Sequence, residues 1–238
     1  MRVLIACEES QAVCKAFREL GHEAYSCDIQ DCSGGHPEWH IKMDVLFILN
    51  PHRTIGQCDE LCYEISFRTE DGKWHNFDKW DLIIAHPPCT YLSTAATQCH
   101  STKVYSKEAI ARRTMQRIEA MEFFMQFVNA DCERICIENP QGVMSACYRR
   151  PDQTIQPYYF ASSVDDVENY ATKKTGLWLK GLEPLRYECD LPNPMDNAER
   201  WGNGKKKNWT EANSGGKNRS KTFPGVAKAM ASQWGKKL

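Results

Sequence analysis

The chain has 238 residues, 42% of them hydrophobic, with twelve cysteines and a formal net charge of −1, enough for one sizeable α/β core with an appendage but short for two full domains. No apolar run approaches the ~18 residues of a membrane span, and no N-terminal stretch has the charged, apolar and small-residue order of a secretory leader. The cysteines are scattered rather than set in a secreted disulfide framework, so a cytoplasmic protein carrying thiols is expected.

Arg2 to Cys7 reads as a first buried strand. Glu8-Glu9-Ser10 then opens a helix in which Ala12, Val13, Ala16, Phe17 and Leu20 form one apolar stripe, with Ser10 as the expected cap and Gly21 as the stop. A second strand, about Glu23 to Cys27, finishes at Asp28. That is roughly 20 residues past the first strand, where an acid in a nucleotide-binding βαβ unit takes ribose hydroxyls, although a simple helix cap is the plainer role and the glycine-rich fingerprint is missing. Cys27, Cys32, His36 and His40 are spaced Cys-x4-Cys-x3-His-x3-His. A tight Cys-x2-Cys knuckle is absent, and Asp28, Gly34 and Gly35 suggest a ligand loop, so no metal is assigned.

Ile41 to Val45 suggests a third strand end carrying Asp44, and two acids at successive strand ends fit a ligand with both a ribose and an amino-bearing purine. From Cys62 to Phe77 the pattern alternates around an Asp71-Gly72 turn, which predicts a hairpin exposed on one face. Leu82 to Ala85 is a wholly apolar run, as suits a strand buried on both faces, and Pro87-Pro88-Cys89 stops it at once. A thiol held at such a strand end is a candidate nucleophile, with an incidental loop cysteine as the plain alternative.

Ser93 to Ser106 is polar and long enough for a lid. Ser106 and Lys107 open a long helix whose Ile110, Thr114, Ile118, Met121, Met125 and Val128 step by three or four and read as core. Arg134 to Pro140 is a fifth buried strand, ending in Glu138 and Asn139 before a proline. Beyond it, a proline-rich third of the chain holds a strand near Gly176 to Leu179. From Lys205 to Lys221 there are five lysines and one arginine against a single acid, Glu211. Trp201 and Trp209 interleave with Lys205, Lys206 and Lys207 as for a phosphate backbone, or form a solvated basic loop. A terminal helix begins at Pro224, carries Val226, Met230 and Trp234, and stops at Gly235. The division expected is a core over residues 1–150 with a hairpin insertion at about 58–78, a small variable region over 151–220, and a C-terminal helix over 221–238 that packs back on the core.

A thiol and a carboxyl at adjacent strand ends can act together on a planar base. Cys89 as thiolate can add to C6 of a cytosine if the charge entering the ring is neutralised, and Glu138 near N3 can supply or share that proton. Addition makes C5 nucleophilic. Asn139 can orient the exocyclic amine or brace the loop, and Arg219 can support the thiolate or a phosphate.

Pro87-Pro88-Cys89 with Glu138-Asn139 resembles the Pro-Cys and Glu-Asn-Val motifs of the DNA cytosine C5-methyltransferases. Ala85-His86-Pro87-Pro88-Cys89-Thr90-Tyr91-Leu92-Ser93, Ser33-Gly34-Gly35-His36-Pro37, Thr175-Gly176-Leu177-Trp178-Leu179 and Arg219-Ser220-Lys221-Thr222-Phe223-Pro224-Gly225 together resemble the compact phage and prophage branch. The resemblance implies a class I S-adenosylmethionine-dependent methyltransferase fold, a Rossmann-like α/β sheet with a reduced target-recognition region. It implies Cys89, Glu138, Asn139 and Arg219 as catalytic groups, with Asp28 at the donor ribose and Asp44 at its adenine. Ala6, Cys7, Glu8, Ser10, Ile29, Val45, His86 and Pro87 would complete the S-adenosyl-L-methionine site. The implied partner is DNA, held by Lys205, Lys206, Lys207, Lys217, Arg219 and Lys221, and the expected state is a monomer.

Departures from the family are visible. Ala6-Cys7-Glu8-Glu9-Ser10 replaces its glycine-rich loop, Pro140 stands where valine is usual, and its Gln-x-Arg-x-Arg motif survives at best as Lys217 to Lys221. His86-Pro87-Pro88-Cys89 also resembles the Asp-Pro-Pro-Tyr loop of amino-methyltransferases, although here the loop ends in a thiol. A zinc deaminase would need a second cysteine where Leu92 stands. A DNA-binding protein that kept the fold and lost the chemistry is the nonenzymatic alternative.

Overall fold

The computed structural model describes residues 1–55, 61–93, 105–188, 190–196 and 222–236, with the backbone alone for 53–55 and 61–63. Its frame is a seven-stranded sheet. β1 (Arg2–Ala6), β2 (Glu23–Asp28) and β3 (His40–Lys42) run outward on one side. β7 (Leu82–Ala85), β8 (Ile135–Pro140), β10 (Thr175–Lys180) and β9 (Gln153–Ile155) continue on the other, giving the order β3-β2-β1-β7-β8-β10-β9. The first five are parallel, and β10 is antiparallel to both of its neighbours. This is an α/β fold whose mostly parallel seven-stranded central sheet is compatible with a Rossmann-like fold. Between β1 and β7 the strand order reverses, and the carboxyl ends there form the crevice in which such sheets bind ligands.

Strand alternation builds two cores. Leu4 and Ala6 of β1, with Ile83, Ala85, Ile135 and Ile137, face Phe124 and Phe127 of α2 (Lys107–Val128). Val3, Ile5, Leu82, Ile84 and Cys136 face α1 (Ala12–Glu19) and α4 (Pro224–Trp234), while α3 (Val143–Cys147) is a single short turn after β8. The strand residues named are 0–2% exposed, and each buried Leu, Ile or Phe contributes roughly 1.5–3 kcal/mol of transfer free energy. α4 packs beside α1 through Val226, Ala227, Met230 and Trp234, so the chain does return to its first βα unit.

A three-stranded antiparallel sheet precedes β7, formed by β4 (His52–Ile55), β5 (Leu61–Arg68) and β6 (Trp74–Phe77). The hairpin β5–β6 is the expected one. Ile65, Phe67 and Phe77 are buried against Tyr25 and Trp80, while Trp74 is exposed.

Four local expectations need correction. Ser10 does not cap α1: Gln11 holds the cap position with φ 58°, and the carboxylate of Glu8 accepts the Val13 and Cys14 amides at 2.7 and 3.2 Å. Leu20 falls past the last helical turn and is exposed, so the buried stripe is Val13, Cys14, Ala16 and Phe17. β3 ends at Lys42, and Asp44 caps the turn Val45–Phe47 by accepting the Leu46 amide at 3.0 Å. The buried residues of α2 are Phe124 and Phe127; Ile118 and Thr114 are exposed, because packing against the sheet is carried by the last turns of the helix. Its start is as expected, with Ser106 accepting the Ala109 amide.

Candidate active site

The loop leaving β1 forms one side of the crevice. Cys7 and Gln11 both sit at φ near 60°, a left-handed conformation that favours glycine and that non-glycine residues adopt at a cost of about 1–3 kcal/mol. This strain lies where the glycine-rich loop is replaced. Gln11 is fully buried and fixes the following ligand loop: its Nε2 donates to the His36 carbonyl at 2.8 Å, while its Oε1 accepts from the His36 amide and the Cys32 thiol. A Cβ on Gly34 would lie 2.5 Å from the Gln11 Cβ, so the loop closes down on this side chain.

Asp28, at the end of β2, and Asp44, just past β3, both bear on Cys7. Burial first, then these two negative charges, push its thiol far above the ordinary range. Each aspartate spends Oδ1 on a nearby amide, Gln30 for Asp28 and Leu46 for Asp44, and Oδ2 takes part in neither bond. Ile29 and Phe47 beside them are 73% and 66% exposed, whereas Val45 is buried. Acids flanked by exposed apolar surface suit a ribose and a flat purine. The α1 N-terminus, where a dinucleotide's phosphates would bind, already holds the Glu8 carboxylate. The residues therefore fit an adenosine-like donor without phosphates there, as S-adenosylmethionine is.

The other side of the crevice is formed by the ends of β7 and β8. Their register pairs Ala85 with Ile137 and so carries His86 alongside Glu138. Nδ1 of His86 lies 2.7 Å from Oε2 of Glu138, the two side chains being only 11% and 12% exposed. The Thr222 hydroxyl donates to the same Oε2 at 3.4 Å. Burial alone would push the Glu138 carboxyl up, but the His86 charge and hydrogen bond, with Lys173 and Thr222, hold it well below the usual carboxylate range. Burial likewise works against a charged His86, and the Glu138 and Glu8 carboxylates outweigh it and raise the imidazole. The buried Glu8 is itself shifted upward, chiefly by desolvation.

Asn139 braces the nucleophile loop, its Nδ2 donating to the Pro87 carbonyl at 2.7 Å, while its buried Oδ1 has no hydrogen-bond partner among the described residues. Beyond Pro88 the chain turns: Leu92 and Ser93 amides both donate to the Cys89 carbonyl, and Cys89 is exposed. Ser93 then bridges to Gly142, and the Val143 amide donates to the Leu92 carbonyl at 2.8 Å, tying this turn to the segment after β8.

The expected residues thus gather in two groups along one sheet edge. Ala6, Cys7, Asp28, Ile29, Asp44 and Val45 stand on the β1–β3 side, with Cys89, Glu138, Asn139, His86 and Pro87 on the β7–β8 side. Ser10 lies apart from both groups, lining a cleft of about 590 Å³ between α1 and α4 with Thr222 and Phe223. Arg219, Lys205, Lys206, Lys207, Lys217 and Lys221 lie outside the described residues, as does most of the proposed lid. The four residues weighed for zinc have separate partners: Cys27 the Met43 carbonyl, Cys32 Gln11, His36 the Trp39 ring, and His40 Ser26.

Sequence reasoning missed the partnership of His86 with Glu138 and the roles of Lys173 and Thr222. The first had a signal, since two adjacent parallel strands ending in Ala85-His86 and Ile137-Glu138 share a phase. Lys173 had none: it reaches the site because β10 runs antiparallel and begins beside the end of β8. Comparison of the chain with protein-family models and with curated proteins finds no match.

Proposed function

We propose that the chain is a DNA cytosine C5-methyltransferase using S-adenosyl-L-methionine. One observation carries this reading: the turn with exposed Cys89 is hydrogen-bonded onto the end of the strand that holds Glu138 and Asn139. The mostly parallel sheet, with its reversed strand β10, is compatible with the class I methyltransferase fold that the resemblance implies. Support for the donor comes from Asp28 and Asp44 at neighbouring strand ends and from the α1 N-terminus closed to phosphate by Glu8.

The donor, when bound, supplies an electrophilic methyl carbon. Asp28 would hold its ribose and Asp44 its adenine, with Ile29 covering the purine. Cys89 Sγ bonds to C6 of a flipped cytosine, Glu138 engages the N3 edge, and the electron density released into the ring makes C5 the nucleophile. Asn139 acts through the Pro87 carbonyl, fixing the turn that carries the thiol. A base, here solvent water, then takes the C5 proton; the freed pair re-forms the C5–C6 double bond, and Cys89 leaves C6 as thiolate. The test is covalent trapping. DNA containing 5-fluorocytosine, mixed with the donor, is expected to form an adduct with the wild-type protein, resolved by denaturing electrophoresis and mass, and none with Cys89→Ala. An adduct in the variant removes Cys89 from the reaction.

A further inference from the structure

We propose that His86 is the proton reservoir of Glu138: the imidazolium hydrogen-bonded to Oε2 of Glu138 supplies the proton that neutralises N3 of cytosine as Cys89 adds to C6. The inference rests on the reaction proposed above and assigns a duty that the thiol and carboxyl motifs do not contain. The two side chains are only 11% and 12% exposed, and among the described residues the hydrogen bonds from His86 and Thr222 to Glu138 both fall on Oε2. With Nδ1 of His86 2.7 Å from Oε2 of Glu138, a proton that the carboxyl hands to N3 is replaced directly from the imidazole.

The balance closes. As the Sγ–C6 bond forms, the C5–C6 π pair moves into the ring and N3 gains basicity. One proton leaves Nδ1 of His86 for the Glu138 carboxyl, and the carboxyl delivers one to N3. The ring adduct is then neutral, the imidazole neutral and the carboxylate again negative, so the total charge stays where it began. When the thiolate is expelled, the proton returns by the same route. Among the described residues, the charged groups that bear on the pair are Glu8 from the loop after β1 and Lys173 from the segment before β10, the first favouring the imidazolium and the second opposing it. His86 acts through Glu138 and is a positioning residue.

The experiment measures the adduct-forming rate on 5-fluorocytosine DNA against pH for the wild type and His86→Gln. General acid help is typically worth about 10²–10⁴ in rate, so a loss of that order is expected near neutral pH, with the alkaline limb moved to lower pH. A limb that stays in place, with the rate merely lowered throughout, overturns the reservoir role. Because His86→Gln removes a buried charge and can fail to fold, nitrogen NMR of His86 is read in parallel in the wild type and Glu138→Gln. Its titration midpoint is expected to fall in the variant, and an unchanged midpoint overturns the proposal. A wild-type protein that forms no adduct at any pH overturns the reaction itself, and this duty with it. A reactive wild type with an unmoved limb overturns only the duty of His86.

Discussion

His86 and Glu138 shift in opposite directions, and each sign has a consequence for stability. Glu138 is held below its unfolded value, so its contribution is present above the ordinary carboxylate range and is lost only in strong acid, as pH falls through the depressed value. His86 is held above its unfolded value, so its contribution is complete below about pH 6.5 and disappears as pH rises through the raised value. Glu8 works the other way: its raised carboxyl costs stability once ionised, and acidification relieves that cost. Around neutrality the His86–Glu138 pair therefore stabilises the fold. Removing one partner of such a pair typically costs about 3–5 kcal/mol, so His86→Gln is expected to lose that much in urea denaturation near pH 6.5. The gap to the wild type should narrow as pH rises through the wild-type imidazole's titration. A gap constant with pH would mean that His86 is neutral in the folded protein.

At the level of elements, the placement of Cys89 depends on two loops that touch. Gly142 follows β8 and meets the turn after Cys89 so closely that a Cβ there would lie 1.9 Å from the Leu92 carbonyl oxygen. Its φ of −172° strains no residue, so what requires glycine is the close approach. Gly142→Ala is expected to push the Cys89 turn off the end of β8. Misplacement by about 1 Å can cost about 10² in rate, so the adduct-forming rate should fall by that order while urea denaturation shows a smaller change. Equal rates for variant and wild type would show that the contact does not position the thiol. The strands on which these loops rest were legible, because the buried runs Leu82–Ala85 and Ile135–Ile137 are apolar throughout and sharply ended. The pairing between their loops was not, since it joins residues some fifty positions apart through backbone groups that no side-chain pattern marks. α2 misled for a different reason: its apolar residues are spread around the helix, and only tertiary packing selects Phe124 and Phe127. Strand β4 was missed because the sequence His52-Arg53-Thr54-Ile55 is short and carries no alternating apolar pattern.

Over the whole molecule, the fold separates two chemistries along one edge. The β1–β3 side presents Asp28 and Asp44, which repel a polyanion, and the β7–β8 side presents the exposed Cys89 on the turn that follows His86. Under the proposed function, DNA approaching the thiol would need cations from elsewhere, and with a net charge of −1 they would have to be local. The five lysines and Arg219 between Lys205 and Lys221 are that local supply in the sequence. If Lys205, Lys206 and Lys207 each touch a phosphate, changing all three to Gln should reduce the magnitude of the slope of log affinity against log salt by about 2.7, at about 0.9 per contact. Fluorescence anisotropy on duplex DNA between about 50 and 200 mM salt measures that slope. With DNA saturating, the triple variant should still form the Cys89 adduct at close to the wild-type rate, because none of the three belongs to the reacting groups. An unchanged slope would remove the cluster from the DNA surface. A reduced slope together with a lost adduct would instead give these lysines a part in carrying the flipped base to Cys89.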